Sequence, residues 1–163
     1  MSVGRAVHHH AYIERAYDAN CDDLDANAGE LVEAATRTAA AFAADLAGYL
    51  ENRLGFFDRD ERVDVVVGEI DRSKTVTVVG VAWRADDTRR LLPNVEASVH
   101  ITPIISSGPG ATSEITLRGT YNPPRTAHRG LVEHVLARRV VDASLHTFLR
   151  HLADGLARRA ERP

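Results

Sequence analysis

Hydrophobic positions along this chain follow two periods in succession, and the change between them defines its elements. Val7 to Tyr17 mixes β-branched and aromatic residues with polar ones and predicts a first strand. Asn20-Cys21-Asp22-Asp23 predicts a helix entry, with Asn20 as N-cap and acidic residues in the first turn. Gly29 is expected to break this region. A longer helix is then predicted from about Glu30 to Asn52, where Leu31, Ala35, Phe42, Leu46, Tyr49 and Leu50 keep helical spacing until Gly55.

From there the period is two. Val63–Val67 predicts a strand, Asp71–Lys74 a turn, and Thr75–Arg84 a second strand rich in Val and Thr. Val95–Ile105 alternates, with Val95, Ala97, Val99 and Ile101 on one face and Glu96, Ser98, His100 and Thr102 on the other. Ser106-Ser107-Gly108-Pro109-Gly110 is a turn signal. Ser113–Tyr121 alternates again, with Ile115, Leu117, Gly119 and Tyr121 sharing parity. Clean alternation means one buried and one wet face, as in antiparallel sheets. Helical period returns from about His128 to Arg159, where Leu131, Val141, Leu145, Phe148, Leu149, Leu152 and Leu156 fall on one face.

A long helix with one apolar stripe, closing a β-rich chain, needs a sheet to lie against. The order is strand, helical pair, strand meander, long helix. It predicts an α+β fold in which a curved antiparallel sheet wraps the C-terminal helix, with a helical insert after the first strand. The 163 residues suit a single domain spanning 1–163.

Composition narrows the function classes. A formal net charge of −3 gives no footprint for nucleic acid. The arginines near the end, Arg158, Arg159 and Arg162, are explained by a solvated helix C-terminus. One cysteine, Cys21, excludes an internal disulfide and fits a reducing compartment. No apolar run approaches 18 residues, so stable membrane insertion is not expected and a cytoplasmic location is. No Walker, Rossmann, Gly-x-Ser-x-Gly, His-Glu-x-x-His or Cys-x-x-Cys motif is present, and no cofactor is implied.

The run Ile115-Thr-Leu-Arg-Gly-Thr-Tyr121-Asn-Pro-Pro124, then Gly130, then the helix through Ser144-Leu145 and Phe148-Leu149 resembles the helix-grip fold of the START-like, polyketide cyclase-like superfamily. The resemblance rests on order and texture over most of the chain. It implies an apolar cavity between sheet and last helix that holds a small hydrophobic or amphipathic molecule. About five strands are predicted where the superfamily usually has six or seven, and the insert is long, so a small or filled cavity is implied as well.

Four residues are candidates to line that cavity. Trp83 and Tyr121 lie on alternating strands, and each joins an apolar body to one polar handle. The stripe of the long helix, projected toward its N-terminus, is centred on His134 and Arg138, about 20° either side of Leu145. Ionisable groups on a core-facing line are costly unless solvated or paired. They either border a wet cavity and meet a polar ligand or sit on a helix end that projects beyond the sheet. An ordinary core position explains each aromatic equally simply.

Other features carry less. His8 and His10 share one strand face with Tyr12 and Glu14, where solvent exposure explains them better than a metal does. Cys21 beside two aspartates lacks the setting of a nucleophile. No catalytic residue is assigned. Three functions are compatible with these readings. The first is a ligand-binding protein. The second is an interaction module or homodimer using Val132, Leu136 and Val140 on the outer face of the last helix, as in a START-like toxin–antitoxin or respiratory partner. The third is a cyclase or dehydratase with His134 as general acid or base, which lacks a clear second acid/base group.

Overall fold

The computed structural model describes residues 4–31, 33–34, 36–38, 40–41, 62–86, 94–104, 110–122 and 131–160. Side chains at 62–63, 85–86, 131–134, 136–137 and 159–160 lie outside that description. Five strands, β1 (Arg5–Ile13), β2 (Arg62–Arg72), β3 (Thr77–Asp86), β4 (Asn94–Ile104) and β5 (Thr112–Asn122), form one antiparallel sheet in the order β1-β5-β4-β3-β2. Between β1 and β2 come α1 (Tyr17–Ala26) and α2, helical at 28–31, 33–34, 36–38 and 40–41. The long α3 (Leu131–Ala160) lies against the sheet, chiefly on β1 and β5. This is the α+β architecture that the alternation and the final stripe predict.

The strand registers assemble the inner face as rows of side chains. One row runs Tyr121–Val95–Trp83–Val65, with Arg5 opposite Tyr121 at its β1 end. The next is Val7–Gly119–Ala97–Val81–Val67, and then His9–Leu117–Val99–Val79–Ile70. A one-residue bulge between Val67 and Ile70 keeps Val65, Val67 and Ile70 on the same face. Without it, the side-chain alternation would turn Ile70 to solvent.

Val141, Leu145, Phe148, Leu149, Leu152 and Leu156 of α3 cover this face, all nearly inaccessible. Each such side chain contributes about 1.5–3 kcal/mol by leaving water. Trp83 meets Phe148 edge to face, with ring centroids 6.2 Å apart, an arrangement worth roughly 0.5–1.5 kcal/mol beyond area alone.

Several predicted boundaries move. The first strand ends at Ile13, and Tyr17 opens α1 instead of closing the strand. Its hydroxyl, 2.7 Å from the carbonyl of Ser73 and 2.9 Å from Thr77 Oγ1, ties the helix start to the β2–β3 turn. The N-cap position falls on Ala16, which has no side-chain cap. Asn20 is a fully buried residue within the helix, because the hydrophobic anchor Tyr17 sets where the helix begins. Gly29 sits in helical backbone at the start of α2. Of the predicted Glu30–Asn52 helix, positions beyond 41 fall outside the described residues, as do the predicted turn at 106–109 and the region around Gly55. Asp71 and Arg72 belong to β2, and the turn begins at Ser73, whose Oγ accepts from the Thr75 and Val76 amides.

Candidate functional site

The inner face brings together two of the four predicted site residues. Tyr121 on β5 and Trp83 on β3 point the same way in one row, separated by Val95, and each is 1% exposed. Parity did this: Tyr121 follows Ile115 and Leu117, and Trp83 follows Val79 and Val81. The Tyr121 hydroxyl is buried and has no hydrogen-bond partner among the described residues. A buried hydroxyl left in that state costs about 1–3 kcal/mol. Both polar atoms of the buried Asn20 amide are unpartnered in the same sense. Beside Tyr121 the second row narrows to Gly119 and Ala97, both half-buried. Deeper in, around Trp83, Phe148 and Leu145, the interior is occupied by side chains.

Arg138 does not face that interior. Its side chain is 62% exposed, and its Nε lies 3.6 Å from Asp142, one turn on. A position in angular register with the buried Leu145 thus stands in solvent. His134 lies on α3, but its side chain is outside the described residues, as are those of Val132 and Leu136. Val140, expected on the outer face, is half-buried and packs against the core, whereas Val135 is half exposed.

A polar cluster that the sequence reading did not assemble flanks the apolar face. His9 projects inward from β1, opposite in parity to His8 and His10. Its Nε2 is buried without a hydrogen-bond partner and lies 3.8 Å from Asp142 Oδ1. Its ring centroid is 5.8 Å from that of His146. Burial lowers the His9 pKa below its ordinary value; Asp142 opposes the shift, while His146, His8 and His10 reinforce it. The available signal was parity, since His9 falls with Val7, Ala11 and Ile13. His8 and His10 lie exposed on the outer face in an aromatic line with Tyr12. Among the described residues no group of three or more potential ligands could hold a metal ion.

A second polar knot fixes α1. Thr77 Oγ1 lies within hydrogen-bonding distance of both Tyr17 Oη and Cys21 Sγ, the latter at 3.0 Å. Arg72, at the end of β2, donates to Asp22 and also reaches Asp18 and Asp25 on α1, contacts that hold it more firmly protonated. These residues anchor the helical insert to the sheet. No helix of the described residues is long and apolar enough to cross a membrane.

No family model and no curated protein matches the chain in sequence. Solved structures align with it over nearly the whole chain. Norcoclaurine synthase from Thalictrum flavum is 9% identical with a TM-score of 0.46, over 99% of this chain and 96% of that one. The Zhui aromatase/cyclase from Streptomyces sp. R1128 is 15% identical with a TM-score of 0.37, over 98% and 97%. A protein from Thermus thermophilus is 12% identical with a TM-score of 0.41, over 97% and 100%. At such identities no ligand or reaction passes from those proteins to this one. The strand order, the inner face and the helix lying on it define the architecture by themselves: an α+β fold in which a five-stranded antiparallel sheet packs against a long C-terminal helix.

Proposed function

We propose that the protein binds a small hydrophobic or amphipathic molecule between the inner sheet face and α3, at the end of the sheet where Tyr121 lies. The single observation that supports this is the Tyr121 hydroxyl, buried on an apolar face with no partner of its own among the described residues. An orphan phenol there destabilises the free protein, and a ligand with a carbonyl or hydroxyl group would relieve it. Gly119 and Ala97 leave the shallowest positions of the face in the row adjoining that of Tyr121. Trp83 would contribute wall rather than recognition. His134 remains part of the proposal as a contact from the first turn of α3. Arg138 would enter it only at the rim, since its charge is in solvent beside Asp142.

The test uses the neutral dye Nile red, titrated while the emission of the single tryptophan, Trp83, is followed. Removing an orphan hydroxyl should leave the fold as stable as before or more so, by up to about 1 kcal/mol. Tyr121→Phe should therefore weaken dye binding about five-fold while its melting temperature holds or rises. Unchanged dye affinity in Tyr121→Phe, or a loss of stability typical of a broken hydrogen bond, contradicts the reading.

A further inference from the structure

The geometry points to a second binding site, at the opposite end of the sheet and outside the helix–sheet interior, for a small monocarboxylate with a short apolar tail. A cleft of about 210 Å³ opens between α1, the first turns of α2 and the last turns of α3. It lies near the end of β1, where Arg15 donates to the Leu156 carbonyl. Tyr121, by contrast, pairs with Arg5 at the start of that strand. The two ends are roughly 25 Å apart at strand spacing.

The chemistry of the walls selects the occupant. The floor is apolar, formed by Leu24, Leu31, Leu152 and Leu156. The acidic groups on the α1 and α2 side are already engaged: Asp23 with Arg15, and Glu33 with Arg37 at 2.8 Å, while Glu30 also has an interaction of its own. On the α3 side stand His151 and Arg158, exposed and with no ion pair among the described residues. Seven residues apart, they lie on one helix face, two turns from each other. Gly155 sits between them, and a Cβ built on it would meet nothing within 4 Å. The uncommitted charge of the cleft is therefore cationic, above an apolar floor, with a gap at the glycine where a carboxylate can approach the helix. The volume equals about seven waters and falls below the roughly 300 Å³ at which drug-sized pockets begin. Octanoate is of the right kind: a single anionic head and a tail short enough for the floor.

Octanoate is titrated into the full chain by calorimetry, with amide chemical shifts mapping the site and octanol as the uncharged control. Saturable binding with shifts at residues 151–158 is expected, in the high-micromolar to millimolar range. Gly155→Leu fills the cleft from a position where an added Cβ meets nothing within 4 Å and should weaken octanoate at least about ten-fold. Arg158→Gln should weaken octanoate roughly three- to five-fold while leaving octanol unchanged. Tyr121→Phe should change neither, which separates this site from the one proposed above. Both cleft positions are open or exposed, so circular dichroism should show parent-like folding in each variant. Octanoate that fails to saturate, or that binds Gly155→Leu as tightly as the parent, overturns the proposal.

Discussion

Gly119→Ala and Gly155→Ala are the same substitution with opposite expected signs. A Cβ at Gly119 would lie 2.4 Å from the carbonyl oxygen of Glu96 and 2.6 Å from both Cα and Cβ of Ala97. Those distances are about an ångström inside ordinary contact, and none of the three atoms can swing away as a long side chain could. β4 and β5 would have to part by about that much at the centre of the sheet. Overpacking of this kind costs about 1–3 kcal/mol, and each ladder hydrogen bond stretched beside it adds about 0.5–1.5 kcal/mol. A loss near 3 kcal/mol follows, or roughly 6–12 °C in melting temperature for a chain of this length. At Gly155 nothing stands within 4 Å of the added Cβ. There the gain in helix propensity, about 0.8–1 kcal/mol, should raise the melting temperature by roughly 2–4 °C. Thermal and urea unfolding followed through Trp83 emission measure both. If Gly119→Ala unfolds within a degree or two of the parent, the close approach of β4 and β5 is not rigid and the reasoning fails.

Tyr17→Phe removes a hydroxyl that bonds Ser73 and Thr77 and should cost about 1–2 kcal/mol in urea unfolding; an unchanged midpoint would mean α1 is held by its apolar contacts alone. His9 has a lowered pKa, so protonation favours the unfolded chain: its contribution is intact above about pH 6.5 and declines as pH falls toward the folded-state value. His100, lowered by burial and by Arg118, acts with the same sign. His9→Asn should flatten part of the stability decline between neutral and acid pH, and Asp142→Asn should steepen it by removing the influence that raises the His9 pKa; equal profiles for all three chains would contradict the burial of His9. Phe148→Ala should cost about 3–5 kcal/mol and shift Trp83 emission to longer wavelength, because the ring that covers the indole is lost; a blue or unchanged emission would contradict the contact.

The inner face was legible because its alternation is unbroken. Val95 through Ile101 and Ile115 through Tyr121 read as an inner and an outer face, although Thr116, expected on the wet face, is buried, and the helical stripe from Val141 to Leu156 supplied what covers the inner one. The bulge between Val67 and Ile70 was not legible, since one extra residue looks like the end of a strand in a linear pattern. The start of α1 was misplaced because Asn20 is a good capping residue, yet a tertiary bond from Tyr17 across to Ser73 sets the frame. Angular projection placed Arg138 on the core line, yet it is exposed beside Asp142, because a helical wheel gives direction and not what covers each turn. His9, Asp142 and His146 met only through the packing of α3 on β1, a long-range contact of which parity gave half.

The most direct measurement of the central claim is native mass spectrometry of the purified protein before and after mild organic extraction. The account predicts a mass excess on the parent chain that extraction removes, and that is diminished in Tyr121→Phe. A single apo mass for the parent both before and after extraction would contradict it.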